Sequence, residues 1–410
     1  STYRQFTGAT AMNPSDTIQT HIRRRQNQAA VWGVLSLILF VIVGVINATR
    51  GAGWQQFFRS YLLAYEFWIT IPLGCLAILM VHHLTSGWWG LPIRRMLEAG
   101  TRTLWFMAAL FIPVLIGMPN LYAWARPADV AADPILQYKH FYLNPTGFTV
   151  RAIIYFFLWL VMVYFLNKWS REQDLTGDPR TADLMETLSG PGLCVWGLVV
   201  SAAAVDWIMS LEPHWFSTIY GMIFMVVECL AAFSFVVFML RMLSEYEPIR
   251  DSVEPRRYLD LGNLILTFTM LWAYLSFSQF LIIWSGNLKD EIPWYTQRAF
   301  GGWAPVAIIL ILLHFFAPFF LLLQRGVKRR LKTLSILAGG MVVMTFVDIW
   351  WLVSPSYDRL GPHFHILDVL AVIGIGGIWT SGFLWQLAKM PVLPLHDPRF
   401  EAILEHAHGD

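Results

Sequence analysis

Ten stretches of mostly apolar residues, each about twenty residues long, follow one another along the chain and alternate with polar segments. They lie at about 29–48, 61–83, 102–121, 149–167, 193–211, 218–243, 260–285, 303–324, 331–354 and 367–388. A helix needs about twenty apolar residues to cross the hydrocarbon core of a bilayer. Because lipid cannot satisfy backbone hydrogen-bonding groups, such runs must be helical. The pattern therefore predicts an all-α integral membrane protein, with about ten transmembrane helices in a membrane domain at 29–388.

One phrase occurs twice within this pattern. AVDWIMSLEP contains Asp206 and FVDIWWLVSP contains Asp348, and in both a proline follows the aspartate seven residues later. The two aspartates fall in the fifth and ninth apolar runs, and a Cys-Leu-Ala triplet occurs in the second run and again in the sixth. This offset predicts two repeated four-helix bundles, at about 61–211 and 218–354. Because an offset of four helices preserves direction across the membrane, the repeats would be parallel.

Composition and charge agree with this class of protein. Hydrophobic residues make up 56% of the chain and charged residues 14%, which excludes ordinary soluble and disordered chains. The formal net charge of +2 indicates no nucleic-acid partner. Lys and Arg number 21 in the first arm, the even-numbered loops and the tail, against 8 in the odd-numbered loops together with Arg151. By the positive-inside rule an N-terminal arm, 1–28, and a tail, 389–410, both lie in the cytoplasm. We expect a multi-pass protein of the inner (cytoplasmic) membrane.

Ionisable residues inside the apolar runs are the candidate functional groups. A charged side chain in a bilayer is costly and usually faces a bundle interior or a water-filled path. From the outer to the inner side, the candidates are Glu66, Asp206 and Asp348, then Glu228 and His314 near the midplane, then His82 and His83. Our hypothesis is that these residues relay protons across the membrane. The alternative is that they only bond to one another across helix interfaces.

The three cysteines fall inside apolar runs and form no C-x-x-C, no haem-attachment motif and no iron–sulfur spacing. Such spacings are the usual sequence signals of these centres. We therefore predict no metal site and no c-type haem. We also expect no other cofactor bound by this chain, and we assign no catalytic residue.

Four stretches carry a resemblance to a known family. They are DWIMSLEPHWFSTIYG (206–221), SFSQFLIIWSGNLKDEIPWY (276–295), HFHILD (363–368) and PVLPLHDPR (391–399). With them the chain resembles the polysulfide-reductase-type (NrfD-like) membrane subunits, and among these the F subunits of alternative complex III, a bacterial quinol:electron-acceptor oxidoreductase. The resemblance runs from the first apolar run to the tail. It implies a ten-helix fold with two four-helix bundles.

The resemblance also implies a function and partners. The chain would be a membrane subunit of a quinol-oxidising respiratory or photosynthetic complex, giving assembly contacts and, as a hypothesis, a proton path. Its partners would be a homologous NrfD-like membrane subunit, an iron–sulfur protein and haem c subunits, with membrane lipid around them. The iron–sulfur clusters and haem c would belong to those partners. Whether this chain takes up a quinone is left open.

A second group of residues gains a meaning only from the resemblance. His363, His365 and Asp368 lie at the predicted outer face, where a quinol head group could release protons or where a subunit interface could form.

Two other functions are consistent with the sequence. A freestanding proton-coupled secondary transporter would also use buried acids, although parallel repeats and the absence of matched Gly/Pro-interrupted runs argue against it. A purely structural scaffold subunit is the second alternative.

Overall fold

The computed structural model describes residues 14–246, 255–392 and 394, and within these ranges the chain forms helices and no β-strand. Ten helical segments in them are long and apolar enough to cross a membrane. They are α1 Ile18–Gly51, α2 Gln55–Thr85, α3 Arg94–Ile116, α4 Pro145–Thr176, α5 Arg180–Leu211, α6 Tyr220–Leu243, α7 Arg256–Gly286, α8 Ala304–Leu323, α9 Leu331–Ser356 and α10 Ile366–Leu387. The predictions of an all-α fold, of ten spanning helices and of a multi-pass membrane protein are confirmed.

Several helices are longer than the apolar runs because they continue into polar turns beyond the hydrocarbon core. The fourth run, 149–167, lies inside α4, whose first turn is capped by Asn144, with its side-chain oxygen 2.7 Å from the backbone nitrogen of Gly147. The helix ends at Gly177, which adopts a left-handed conformation at φ +64°. Asparagine is a common start signal just before a helix, and glycine is a common stop signal just after one. Local sequence therefore determines these ends, although the apolar pattern does not reveal them.

The centre of the molecule is the pair α2 and α6. In their most apolar windows 94% and 89% of the residues are buried, against 22% in α1 and 28% in α7 and α8. The two central helices pack so closely that a Cβ atom at Gly74 of α2 would lie 1.9 Å from the backbone oxygen of Glu228 on α6. Small residues permit this kind of close approach in membrane helices. Only glycine fits at this position.

The other helices surround this pair in two groups. In one group α2 and α4 each contact α3 and α5, and in the other α6 and α8 each contact α7 and α9. Helix α1 packs along α10, and α10 contacts α2. Each group of four therefore closes into a ring. The internal duplication and its boundaries, 61–211 and 218–354, stay predictions.

The two copies of the repeated phrase end with similar contacts. Lys139, in the connection between α3 and α4, donates a hydrogen bond of 2.6 Å to the backbone oxygen of Pro213. Gln297, in the connection between α7 and α8, donates one of 2.5 Å to the backbone oxygen of Pro355. These are the prolines that follow Asp206 and Asp348. The two phrases lie on α5 and α9. In each case the donor belongs to the connection that leads into the helix before it, α4 or α8, and it binds the end of the phrase.

The predicted terminal segments are described only in part. The arm, 1–28, is described from Pro14 onward, where it is helical and continues into α1. The tail, 389–410, lies outside the described residues except for 389–392 and 394.

Candidate functional site

Asp206 is buried and held by a cation. Both of its carboxylate oxygens accept hydrogen bonds from Arg151 of α4, at 2.7 Å from Nε and 3.0 Å from Nη2, and Tyr155 donates a third bond of 2.8 Å. The guanidinium also lies over the ring of Tyr142, 3.8 Å from its centre. Bidentate pairs of this kind are strong and geometrically specific. Asp206 thus links α5 to α4, and its place in a proton path stays a prediction.

Asp348 has different surroundings. It is 3% exposed, and its carboxylate accepts a hydrogen bond of 3.0 Å from the indole N–H of Trp272 on α7. The Trp272 ring stacks on the imidazole of His314, with 4.4 Å between ring centres and an angle of 21°. Among the described residues no Lys or Arg forms a salt bridge with Asp348. The two aspartates of the repeated phrase therefore differ in their partners.

His314 is completely buried in α8, within a π-helical turn at Leu310–Phe316. The main chain of Met344 lies beside its imidazole. Single π-helical turns occur frequently at functional sites in helices. The structure therefore brings two predicted relay residues, His314 and Asp348, to one indole ring.

Glu66 and Glu228 meet at the contact between α2 and α6. They are 3% and 4% exposed, and both line one cavity of about 10 Å³, which is at the lower limit of the space that holds one water molecule. Thr70 also lines it. One carboxyl oxygen of each glutamate, Oε1 of Glu66 and Oε2 of Glu228, is buried without a hydrogen-bond partner among the described residues. Buried polar atoms without partners are rare and call for an explanation.

His82 and His83 lie in the last turn of α2 and are 0% and 5% exposed. Their ring centres are 5.7 Å apart, and the ring of His82 meets Trp89 edge to face. At the α-helical rise, His82 lies about 24 Å from Glu66 along α2, which is most of the roughly 30 Å hydrocarbon core. Gly74, where Glu228 packs, is halfway between them. Glu66, the level at which Glu228 of α6 packs, and His82 therefore lie at three successive heights along α2, and a proton relay through them stays a prediction.

His365 and Asp368 form the N-terminal cap of α10. The Nδ1 atom of His365 accepts a hydrogen bond of 3.1 Å from the Leu367 backbone, and Asp368 accepts one of 2.9 Å from the His365 backbone. Ser60 of α2 donates a further bond of 2.5 Å to Asp368. His363 lines a separate cavity of about 10 Å³ beside Asp368. Their use in quinol chemistry or at an interface stays a prediction.

A buried ion network between α3 and α4 was missed by the sequence reasoning. Glu98 is fully buried and forms salt bridges with Arg94 at 3.0 Å and with Arg95 at 2.8 Å, and Ser170 donates a hydrogen bond of 2.6 Å to it. Arg95 also pairs with Asp174 of α4. The spacing of Arg94, Arg95 and Glu98 was a usable signal, since residues three and four apart meet on a helix.

A second missed residue is Arg298, in the connection between α7 and α8. It is fully buried, donates hydrogen bonds of 2.5 Å to Glu212 and 3.1 Å to the backbone oxygen of Leu352, and lies over the ring of Trp294. Ser356 donates a bond of 2.8 Å to the same glutamate. Arg298 thus joins the ends of both copies of the repeated phrase. No local spacing indicated this, because Glu212 is 86 positions away.

Within the described part of the chain, His, Cys, Asp and Glu side chains form no group of three or more that could hold a metal ion. Comparison with protein-family models and with curated proteins finds no match for this chain.

Proposed function

We propose that this chain is a cofactor-free membrane subunit of a quinol:electron-acceptor oxidoreductase of the alternative complex III type. It would lie in the inner (cytoplasmic) membrane with both ends in the cytoplasm. Its partners are a homologous membrane subunit, an iron–sulfur protein and haem c subunits. The support for the complex is the sequence resemblance in four stretches, with a ten-helix membrane fold that suits it. Its roles are assembly contacts and a transmembrane proton path.

The observation that supports the proton path is the cavity shared by Glu66 and Glu228. It lies between the two most buried helices, and no Lys or Arg of the described residues pairs with either carboxyl group. A carboxyl group both gives and accepts protons. Two of them on one cavity, with room for a single water, can therefore pass a proton from one helix to the other.

The remaining candidates extend this step in both directions. Asp348, toward the predicted outer side, and His314, near the predicted midplane, form a second group around one indole ring. On the inner side, His82 and His83 lie about 12 Å beyond the level of Gly74 along α2. Water molecules would have to bridge that distance. The path is thus a short central transfer with water-dependent segments on each side.

The first experiment tests the complex. The protein would be purified from native membranes in a mild detergent, and everything that stays bound would be identified by mass spectrometry and by its visible spectrum. Stoichiometric recovery of a multihaem cytochrome c and an iron–sulfur protein supports the proposal. A colourless chain that purifies alone supports the transporter instead, which the buried acids would also suit.

The second experiment tests the proton path within the purified complex. In proteoliposomes, Glu228→Gln and Glu66→Gln should each lower the number of protons moved per electron at least twofold, because glutamine cannot release a proton. Electron transfer measured with an uncoupler should continue. The matched control is Glu186→Gln, since Glu186 is an exposed glutamate on α5. Unchanged proton movement in both central variants would refute the path.

A further inference from the structure

A larger pocket lies at one end of the bundle, apart from the buried carboxyl groups. The end of α5 meets the connections before α4 and before α6 there, and they enclose a cavity of about 190 Å³. Pockets that enclose whole drug-sized ligands are roughly 300–1,000 Å³. This pocket therefore suits part of an elongated molecule.

Most of the pocket wall is apolar. It includes Val205 and Met209 of α5, together with the aromatic rings of Tyr142, Trp215 and Phe216. Hydrocarbon is the occupant that such a wall favours. If only water filled the pocket, this apolar surface would stay hydrated, which is unfavourable in free energy.

One charged side chain, Lys139, interrupts the apolar wall. Trp215 contributes its ring to the wall, is 4% exposed, and has its indole nitrogen buried away from the pocket space. Its ring stacks on Trp294 at 4.6 Å, which fixes its plane. Lys139 has three N–H donors and donates one hydrogen bond to the backbone oxygen of Pro213. The pocket thus offers the two remaining N–H donors of Lys139 and its positive charge, and the lining residues that the structure describes include no carboxylate.

The pocket also opens beside surface that faces lipid. Phe141 in its wall is 85% exposed, Tyr138 is 83% exposed, and Val150 and Ile153 continue the exposed apolar surface along α4. Aromatic side chains of this kind concentrate at membrane–water interfaces. A molecule of the bilayer can therefore reach the pocket without leaving the membrane.

We infer that this pocket binds an acyl chain that carries an oxyanion, as a phospholipid or a fatty acid of the surrounding bilayer does. The hydrocarbon lies against Val205, Met209 and Phe216, and the oxyanion accepts a hydrogen bond from the ammonium group of Lys139. Burial lowers the pKa of Lys139. A bound anion opposes this change, because it stabilises the charged ammonium.

Tyr142 connects the pocket to the ion pair of Asp206 and Arg151. This residue lines the pocket, its backbone oxygen accepts a hydrogen bond of 2.9 Å from Arg151, and its ring lies under the same guanidinium.

Native mass spectrometry of the purified protein tests this site. We expect one retained lipid per chain, whose mass identifies it as a phospholipid or a fatty acid. Val205→Trp, which fills the pocket, should lower the retained fraction at least tenfold. Val150→Trp is the matched control, because it adds the same side chain to exposed surface nearby, and it should retain the lipid as the wild type does. Equal retention in the two variants would overturn the inference, as would a retained isoprenoid quinone.

The charge requirement has its own test. Phosphatidylglycerol and diacylglycerol, which share acyl chains but differ in the phosphate, would be titrated separately into delipidated protein. The wild type should bind phosphatidylglycerol at least tenfold more tightly, and Lys139→Met should remove that preference while leaving diacylglycerol binding unchanged. Since Lys139→Met leaves the hydrocarbon wall intact, this result does not depend on Val205→Trp folding correctly. An unchanged preference would exclude Lys139 as the anion contact.

Discussion

The replacement Gly74→Ala would test the contact that holds α2 against α6. A methyl group at this position would lie 1.9 Å from the backbone oxygen of Glu228 and 2.8 Å from the side chain of Ala232. Real Cβ atoms essentially never approach another atom closer than 3.0 Å. The first contact must therefore lengthen by about 1.1 Å. Because the obstructing oxygen belongs to the backbone of a helix, a side-chain rotation cannot relieve it.

Overpacking of this kind in a close-packed core typically costs about 1–3 kcal/mol. Alanine in a helix otherwise gains up to about 1 kcal/mol over glycine through backbone entropy. Because the obstructing atom is a backbone oxygen that no rotamer change can move, the upper end of that cost, about 3 kcal/mol, applies, and we expect a net loss of roughly 2 kcal/mol in the free energy of unfolding for Gly74→Ala. Thermal unfolding in detergent, followed by tryptophan fluorescence and by loss of the monodisperse peak in size-exclusion chromatography, measures the change.

Gly340→Ala is the control for the intrinsic effect of alanine. Gly340 also lies inside a helix, α9, but an added methyl group there would meet nothing within 4 Å. This variant should unfold at the wild-type temperature or slightly above it. If the two variants unfolded at the same temperature, the central helices would not be in the tight contact described above.

Three further replacements test the different partners of the buried charges. Asp206→Asn should cost roughly 3 kcal/mol of unfolding free energy, because it leaves the guanidinium of Arg151 without its carboxylate. Asp348→Asn should cost less than about 1 kcal/mol of unfolding free energy, since an amide oxygen still accepts the indole hydrogen bond. Equal losses for Asp206→Asn and Asp348→Asn in denaturant titrations would contradict this difference. Arg298→Met should cost roughly 3–5 kcal/mol and make the connection between α7 and α8 more sensitive to protease. Arg359→Met, at an exposed arginine, is its control, and equal digestion rates would contradict the role of the buried cation.

The helices could be predicted from the sequence better than their ends. The fifth run was predicted to begin at 193, whereas α5 begins at Arg180. Six of the thirteen added residues are polar and three more are Gly190, Pro191 and Gly192, so they extend the helix without lengthening the apolar run. Counting apolar residues detects the part of a helix that lies in hydrocarbon, and the rest depends on caps and breakers such as Asn144 and Gly177.

The candidate site was only partly predictable. The sequence marked Asp206 and Asp348 as equivalent, because both occupy the same place in a repeated phrase. In the structure, Asp206 accepts hydrogen bonds from a guanidinium group, whereas Asp348 accepts one from an indole N–H. The guanidinium belongs to Arg151, which sequence reasoning had counted only as an orientation charge. Partners on other helices cannot be read from spacing along one helix, so this difference was not visible.

By itself the sequence determined that the chain crosses a membrane as ten helices, because each long apolar run must enter lipid and must satisfy its own backbone hydrogen bonds there. It also determined which residues would be costly to bury. Only the tertiary structure decided how each of those residues is accommodated. Asp206 meets a cation on a neighbouring helix, whereas Glu66 and Glu228 meet each other across a cavity of about 10 Å³. That outcome depends on which helix faces are brought together, and Gly74 permits the closest of those contacts.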